Sequence, residues 1–403
     1  MAKRILVVGT LDTKGMEVGF LKEQIEQGGH ETVLMDIGIL GQPLCQADIT
    51  RQQVVRASGM DLQEAIVAGD RQRAVAIMIE GASRKARELY AAGELDGVIA
   101  VGGGTALFMG TAVMRALPIG VPKVVLSSMI AGDVSHFVDG KDITLMQSVA
   151  DIVGLNQVTR DILIGAAGAI CGMVEAGTSS ASAKPMIAVT DFGITTPCAR
   201  HAGQLLAEKG YETVVFHTVG SGGTAMEEFI GQDLFVGVLD LTTHEFIDLL
   251  AGGYYGGIGP ERLETAGKKG IPQIVGPGGL DCIAVVHHSE VPARFQGRGI
   301  YYHDFRRGVR SSAEELAVAA QVMAERLNRA IGPVKVLLPL RGWSEADQEG
   351  GPLYDPQADR AFGEEMKKCL KPQIEVVEVD AHLNDPLYAE TAVALLEEMI
   401  RRK

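Results

Sequence analysis

Residues 5–38, ILVVGTLDTKGMEVGFLKEQIEQGGHETVLMDIG, decide the reading of the fold. An apolar run, Ile5 to Val8, predicts a strand over 4–9. Met16, Phe20, Leu21 and Ile25 then recur at helical spacing, which predicts a helix over 15–28 that stops at Gly28-Gly29. A second apolar stretch predicts a strand over 31–37. After a polar stretch the alternation resumes. Helices are expected around 61–68 and over 70–92, a strand over 97–101, the loop GGGT at 102–105, a helix over 106–116 and a strand over 122–127. Strands that alternate with helices of this length are joined by crossovers, so the sheet is expected to be parallel.

The pattern restarts at Met186. MIAVTDFGITTPCARHAGQLLAEKGYETVVFHTVG aligns with the opening stretch at an offset of 181, and Gly29-His-Glu-Thr-Val faces Gly210-Tyr-Glu-Thr-Val. Further on, GVPKVVLSSM from Gly120 matches GIPQIVGPGG from Gly270 in the same order. The fold class expected is α/β: two Rossmann-like three-layer subdomains with mostly parallel sheets, related by internal duplication. The domains are expected at 1–180 and 186–403. Between them TSSASAKP, 178–185, is small, polar and Pro-terminated, as a linker would be. Just before it, ILIGAAGAICGMVEAG reads as a helix that packs closely on a neighbour. The last part adds a strand over 334–340, a helix over 356–370, a strand over 374–379 and a helix over 386–401. That last helix would have Asp385 as its cap and Pro386 in its first turn.

Composition narrows the partners. The net charge of −14 argues against a nucleic-acid surface, which needs a basic footprint. No run of about 18 uncharged apolar residues occurs, so no membrane span is expected. A strand by residue 4 leaves no room for a signal peptide, and the five cysteines are scattered without a CxxC pair. A cytoplasmic setting is expected.

In open α/β sheets ligands bind beyond the carboxyl ends of strands, so the loops there carry the functional weight. In the first, Gly9 to Gly15, Thr10 and Thr13 offer hydroxyls and Lys14 offers a charge at a helix N-terminus. Asp12 would repel a phosphate unless a metal, a ribose hydroxyl or Lys14 engages it. The loop reads equally as a plain N-cap with Lys14 in solvent. In the second loop, Gly102, Gly103, Gly104 and Thr105 permit close approach of an anion, whereas a tight turn needs only one glycine. Neither GxGxxG nor GxxxxGK[ST] is present, so neither class applies. The third loop, 127–156, carries Asp133, Asp139, Asp142 and Asp151. Asp133 or Asp142 is the candidate Mg²⁺ ligand, against the plain reading of capping aspartates. In the second half the corresponding loop lacks lysine. There His217, Glu227 beyond Gly222-Gly223-Thr224, His244, Asp281 and His303 follow successive strands. His217, Glu227, His244 and Asp281 are the candidate acid–base groups. Cys198 reads either as a nucleophile or as a small buried residue.

GTLDTKGxE near the start, GGGT at 102–105, DITLMQSVADIVGLN at 142–156 and FGITTPC at 192–198 together resemble the Tm-1-like ATP-binding, or UPF0261, family. HDF, ADxxGGPLYDPQAD and DAHLNDP near the C-terminus are similar too. The resemblance implies a two-subdomain α/β module that binds ATP with Mg²⁺ in its first half and forms homo-oligomers, at least dimers. The nucleotide motif falls on Thr10, Asp12, Thr13, Lys14 and Gly102 to Thr105. Asp142, Ser148 and Asp151 match a second motif. One departure is GVRSSAEEL, where a Thr-Thr pair is expected; serine keeps a hydroxyl. Plant relatives fuse the module to a further domain and restrict viral RNA replication. That domain is expected to be missing here, and no motif carries the viral activity over.

Three functional readings result. The chain is an ATP-dependent enzyme of small-molecule metabolism, with ATP in the first half and an unknown small-molecule substrate at the face between the domains. Otherwise it is a nucleotide-binding regulatory or scaffold protein without turnover, or a metal-assisted lyase or isomerase built on the second half's histidines and acids.

Overall fold

Two strands predicted from the opening stretch, β1 (Arg4–Gly9) and β2 (Glu31–Asp36), pair in parallel, and β3 (Gly97–Gly102) lies on the other side of β1. With β4 (Lys123–Ser127) and β5 (Thr144–Gln147) they form a parallel sheet in the order β2-β1-β3-β4-β5. The central strands are apolar at successive positions because both faces of the sheet are covered. Ile5, Val7, Ile99 and Val101 pack under α1 (Leu11–Gln27) and α5 (Gln157–Ala176). Leu6, Val8, Val98 and Ala100 pack under α2 (Arg51–Ser58), α3 (Arg71–Ala91) and α4 (Gly104–Arg115).

Local chemistry sets the helix starts. Thr50 with Gln53 and Asn156 with Thr159 form reciprocal capping boxes, and the Asp70 carboxylate accepts from Arg73 N at 2.9 Å. α1 begins at Leu11, earlier than the predicted 15. Its first turn is broken at Lys14 (φ −128°, ψ 16°), so the helix restarts where the apolar periodicity does. By length and composition α5 is a helix that could cross a bilayer, but Leu163, Ala166, Ala167, Ile170 and Val174 bury one face of it on the sheet.

The computed structural model describes residues 2–61, 69–132, 134–177, 184–286, 291–303 and 306–402. It divides into two compact units, Met1–Ser180 and Ala181–Lys403. Most of the linker stretch 178–185, and all but Asp61 of the helix expected around 61–68, lie outside the described residues.

The second unit repeats the order of the first. β6 (Met186–Asp191), β7 (Glu212–His217), β8 (Phe235–Thr242), β9 (Gln273–Gly278), β13 (Val334–Pro339) and β14 (Glu375–Val379) form a parallel sheet, β7-β6-β8-β9-β13-β14. Taken from the second strand inward, both sheets read 2-1-3-4, and the paired sequences occupy the same places: β1 and β6, β4 and β9. That shared order is what a duplication predicts. The helices are α6 (Thr196–Glu208), α7 (Ser221–Gly231), α8 (Glu245–Ala251), α9 (Ala313–Leu327), α10 (Pro356–Cys369) and α11 (Pro386–Arg401). An antiparallel sheet, β10 (Cys282–Val286), β12 (Arg306–Arg310) and β11 (Ile300–Tyr302), is inserted after β9 and has no counterpart among the described residues of the first unit. Asp385 occupies the cap position of α11 as expected, yet its carboxylate accepts from His382 N at 2.8 Å and not from the helix.

Candidate functional site

In the first unit the strand order reverses between β1 and β3. Their two outgoing loops therefore diverge to opposite faces of the sheet and leave a crevice between them. Thr10 to Lys14 and Gly102 to Thr105 lie on its two sides. A side chain built on Gly102 would come within 3.9 Å of Lys14 Cγ. Gly102 itself is held at φ +150° with Ala106 close by, so backbone and packing require it. Gly103 and Gly104 are different. A Cβ on Gly103 would meet nothing within 4 Å, and on Gly104 only Met129 Cγ, at 3.7 Å. No side chain caps α4, and its ladder starts at Leu107 N to Gly103 O, 3.0 Å. The N–H groups before Leu107 have no acceptor within the helix, as at any helix start, and no side chain of the N-cap residue takes them.

Other predicted groups are already engaged. The Asp12 carboxylate accepts from Leu40 N at 3.0 Å and Gly41 N at 3.1 Å, which clasps the loop after β2. Thr10 and Thr13 hydroxyls pair at 2.9 Å. The Lys14 ammonium donates to the Ile152 carbonyl, so it is not left to solvent as a plain cap would leave it. Glu17 accepts from Gly154 N at 2.7 Å. Through these two contacts the 142–156 motif is fastened to the GTLDTKGxE motif. Ser148 donates to the carbonyl of Ala150 within that loop, Asp151 is exposed, and Val149 is held at φ +61°. A β-branched residue in that region is strained, and such strain gathers at functional rims.

The magnesium assignment needs correction. Asp142 accepts from Lys123 Nζ and from Gly120 N, each at 2.7 Å, and Lys123 is fully buried. Its charge is spent on a structural ion pair. Asp133 lies outside the described residues. Among the described residues no group of three His, Cys, Asp or Glu side chains is placed to hold a metal. Asp142 therefore does not fit a resident cation.

The corresponding reversal in the second unit lies between β6 and β8, and its own side chains fill it. Thr195 and Thr242 hydroxyls meet at 2.9 Å, and both residues are buried. Phe192 stacks flat on His244, with ring centroids 4.0 Å apart. Gly222 and Gly223, which resemble the GGGT loop in sequence, serve packing. A Cβ on Gly222 would meet His217 O at 1.9 Å, and on Gly223 Glu245 Oε1 at 2.2 Å.

The structure does not bring the four predicted acid–base groups together. Glu227 accepts from Leu263 N at 2.6 Å and Thr265 N at 3.1 Å and lies 3.6 Å from Arg262. His244 is fully buried. Its Nδ1 lies 2.9 Å from Gly279 O, and its Nε2 lies 3.3 Å from Asp248 Oδ2 without hydrogen-bond alignment. Burial acts to lower the His244 pKa, but Asp248, the Gly279 carbonyl and Glu245 together outweigh it and raise the imidazole above its usual range. Asp281 is fully buried, accepts from Ser344 Oγ at 2.6 Å, and is pushed up to about 6 by burial and by Asp347. These three are sealed structural groups and are withdrawn as acid–base candidates. His217 alone reaches open space. It lines a pocket of about 60 Å³ with Phe192, Tyr301, His303, Arg306 and Arg307, among others. Burial pulls its pKa below the usual histidine range, against Asp191.

Cys198 is the small buried residue of the two readings. Burial and Asp191 push its thiol up to about 12, so it holds no thiolate at neutral pH. In the native protein a thiol reagent is expected to label Cys45, Cys171 and Cys369 and to reach Cys198 and Cys282 only after denaturation. Mass spectrometry of peptides from natively labelled protein checks this, and rapid labelling at Cys198 would reopen the nucleophile reading.

Asp36, Arg51 and Glu17 were not singled out in the sequence. Buried Asp36 accepts from Leu11 N at 3.2 Å, Gly38 N at 2.8 Å and Arg51 Nε at 2.9 Å, and so ties the loop after β2 to the start of α1 and to α2. Its position at the end of β2 was the available signal.

Fold and crevice define a protein of two parallel α/β units, open at the switch point of the first and packed shut at that of the second. Family models extend this assignment. Residues 3–179 match the N-terminal domain of the uncharacterised protein family UPF0261, and residues 184–400 match its C-terminal domain. The chain belongs to the UPF0261 family. It is 37% identical to a UPF0261 protein of Clostridium tetani over 403 residues, 99% of each chain. It is also 37% identical to one from Rhizobium meliloti, covering 98% of this chain and 99% of that one. The tomato (Solanum lycopersicum) protein named ToMV susceptible protein tm-1(GCR26) is 30% identical over 98% of this chain, which corresponds to 56% of its own length. Likeness to solved structures is distant. A UDP-N-acetylglucosamine 2-epimerase aligns over 100% of this chain and 98% of its own at 11% identity with a TM-score of 0.25, too low to bear on the function.

Proposed function

We propose that the first unit binds a nucleoside triphosphate, ATP with its Mg²⁺, in the crevice between β1 and β3. The observation that supports this most is the contrast between glycines. Gly222 and Gly223 face protein atoms, whereas Gly103 and Gly104 face open space at the uncapped start of a helix. A fold that needs no glycine for its own packing gains from it where a ligand's phosphate must approach the backbone. Lys14 lies across the crevice from Gly102, and its ammonium, which here donates to the Ile152 carbonyl, is the positive charge offered to the same phosphates. Magnesium enters with the triphosphate, where it neutralises charge and is held by phosphate oxygens and water. The chain's own part is to bind and orient the phosphates.

Gly104→Val tests this without threatening the fold, since its backbone lies outside the left-handed region and the added Cβ has room. Isothermal titration with ATP and Mg²⁺ is expected to show saturable binding, weakened about tenfold or more in Gly104→Val and in Lys14→Gln. Gly19→Ala, on an open stretch of α1, serves as the control. Folded Gly104→Val and Lys14→Gln proteins that bind ATP like the parent would overturn the assignment. ADP release in the same samples separates turnover from binding alone.

A further inference from the structure

Two large apolar side chains stand in solvent beside the start of α4. Met129 is 61% exposed and Phe108 is 46% exposed. Met129 adjoins the glycine loop, since a Cβ built on Gly104 would lie 3.7 Å from its Cγ. Phe108 follows Gly104 by one turn of α4, so the two share a helix face and lie about 6 Å apart along the axis. Both side chains are fixed from behind. The Met129 N–H donates to the buried Ser127 Oγ at 3.2 Å, and Ala106, Leu107, Met109 and Gly110 bury the helix around Phe108. The platform is therefore in place before a ligand arrives.

The second unit closes the same two positions. Aligning Thr105 with Thr224 puts Phe108 opposite Glu227, and aligning Gly120 with Gly270 puts Met129 opposite Gly279. Glu227 is buried and holds the Leu263 and Thr265 N–H groups, and a Cβ on Gly279 would meet His244 Cβ at 3.0 Å. Exposed apolar bulk thus stands only in the unit whose glycines face open space. Beside a phosphate crevice such bulk suits the flat face of a ring. A sugar or a bare polyphosphate gains nothing from it.

We infer that Met129 and Phe108 are the platform for the heterocyclic base of the ligand, whose phosphates lie at the start of α4. This assignment rests on the phosphate reading of the crevice and adds the residues that select a nucleotide over other phosphate compounds. One helix turn separates Gly104 from Phe108, a span that a ribose bridges. Phe108 offers no hydrogen bond and the Met129 thioether only a weak acceptor. The pair therefore recognises the face of the ring rather than its edge.

Isothermal titration of the full chain with ATP and with inorganic triphosphate, each with Mg²⁺, separates base from phosphate. Phe108→Ala and Met129→Ala change exposed side chains, and circular dichroism checks that both variants fold. The parent is expected to bind ATP more tightly than triphosphate. Phe108→Ala is expected to weaken ATP about fivefold or more and Met129→Ala about threefold, with triphosphate bound equally by all three proteins. Phe108→Trp, which keeps an aromatic face, is expected to bind ATP as tightly as the parent. ATP binding unchanged in both alanine variants would overturn the inference and leave phosphate binding standing. So would triphosphate that matches ATP in the parent, or variants that lose ATP and triphosphate alike. Failure of both ligands to bind the parent would refute the phosphate reading itself, and the base platform with it.

Discussion

Arg262→Met is expected to destabilise the second unit by about 3–5 kcal/mol, the range for removing one partner of a buried charge cluster. The Arg262 side chain is 1% exposed. It donates to both oxygens of Asp240 and, through Nε at 3.2 Å, to Glu245, with Glu227 at 3.6 Å. One positive charge thus serves three buried carboxylates. Burial pushes Glu227 and Glu245 up, against the pull of Arg262. Methionine matches the bulk of arginine but leaves the carboxylates without their counterion, and they must protonate or draw in water. The sign of the pH dependence follows. A carboxyl whose folded pKa is raised contributes stability that is present at low pH and lost as pH rises. The defect of Arg262→Met is therefore expected to be larger at pH 8 than at pH 5. Pairing it with Glu245→Gln is expected to recover about 1–2 kcal/mol, because one uncompensated charge is gone. Urea denaturation at the two pH values measures both effects. A loss below about 1 kcal/mol at pH 8 would mean that water already solvates the cluster.

That cluster also shows where the sequence stops being readable. The β-α-β order, the restart at Met186 and the boundaries of most strands were legible because each rests on local periodicity. The crevice was legible as well, since strand ends and glycine runs mark it. Which glycines serve a ligand was not. GGGT at 102 and SGGT at 221 read alike, and they differ only in what a Cβ would meet, His217 O and Glu245 Oε1 in one case and open space in the other. The acid–base assignment failed for a related reason. Glu227, His244 and Asp281 do follow strand ends, but spacing along the chain says nothing about burial. Their compensating partners come from elsewhere: Arg262 from a loop beyond α8, Asp248 one turn along, Ser344 from beyond β13. Asp12 illustrates the same limit in the first unit, where two backbone N–H groups from 40–41 take one oxygen of the carboxylate beside Lys14.

Asp281→Asn is expected to change the pH dependence of stability more than its value at low pH. Asp281 is fully buried in a second cluster, in which Arg310 lies 2.5 Å from Asp359 and 4.0 Å from Asp347. Asp281 Oδ2 takes the Ser344 hydroxyl, while Oδ1 has no hydrogen-bond partner among the described residues. Burial and the Asp347 charge push its pKa from the ordinary 3.8 up to about 6, against the pull of Arg310. Between those values the folded protein binds more protons than the unfolded chain, so the wild type loses stability as pH rises from about 4 to 6. The size of that loss is on the order of 2–3 kcal/mol. Asparagine keeps an acceptor for Ser344 and carries no charge. Relative to the wild type, Asp281→Asn is therefore expected to gain stability by that amount between pH 4 and pH 7. Asp359 is raised by the same burial, and in the variant it loses a repelling neighbour. That change favours the variant in the same direction, so the step belongs to the cluster and keeps its sign. Thermal and urea denaturation of both proteins across this range would decide. A variant destabilised equally at pH 4.5 and pH 7.5 would show that Asp281 is ionised in the folded state throughout, with Arg310 holding its charge.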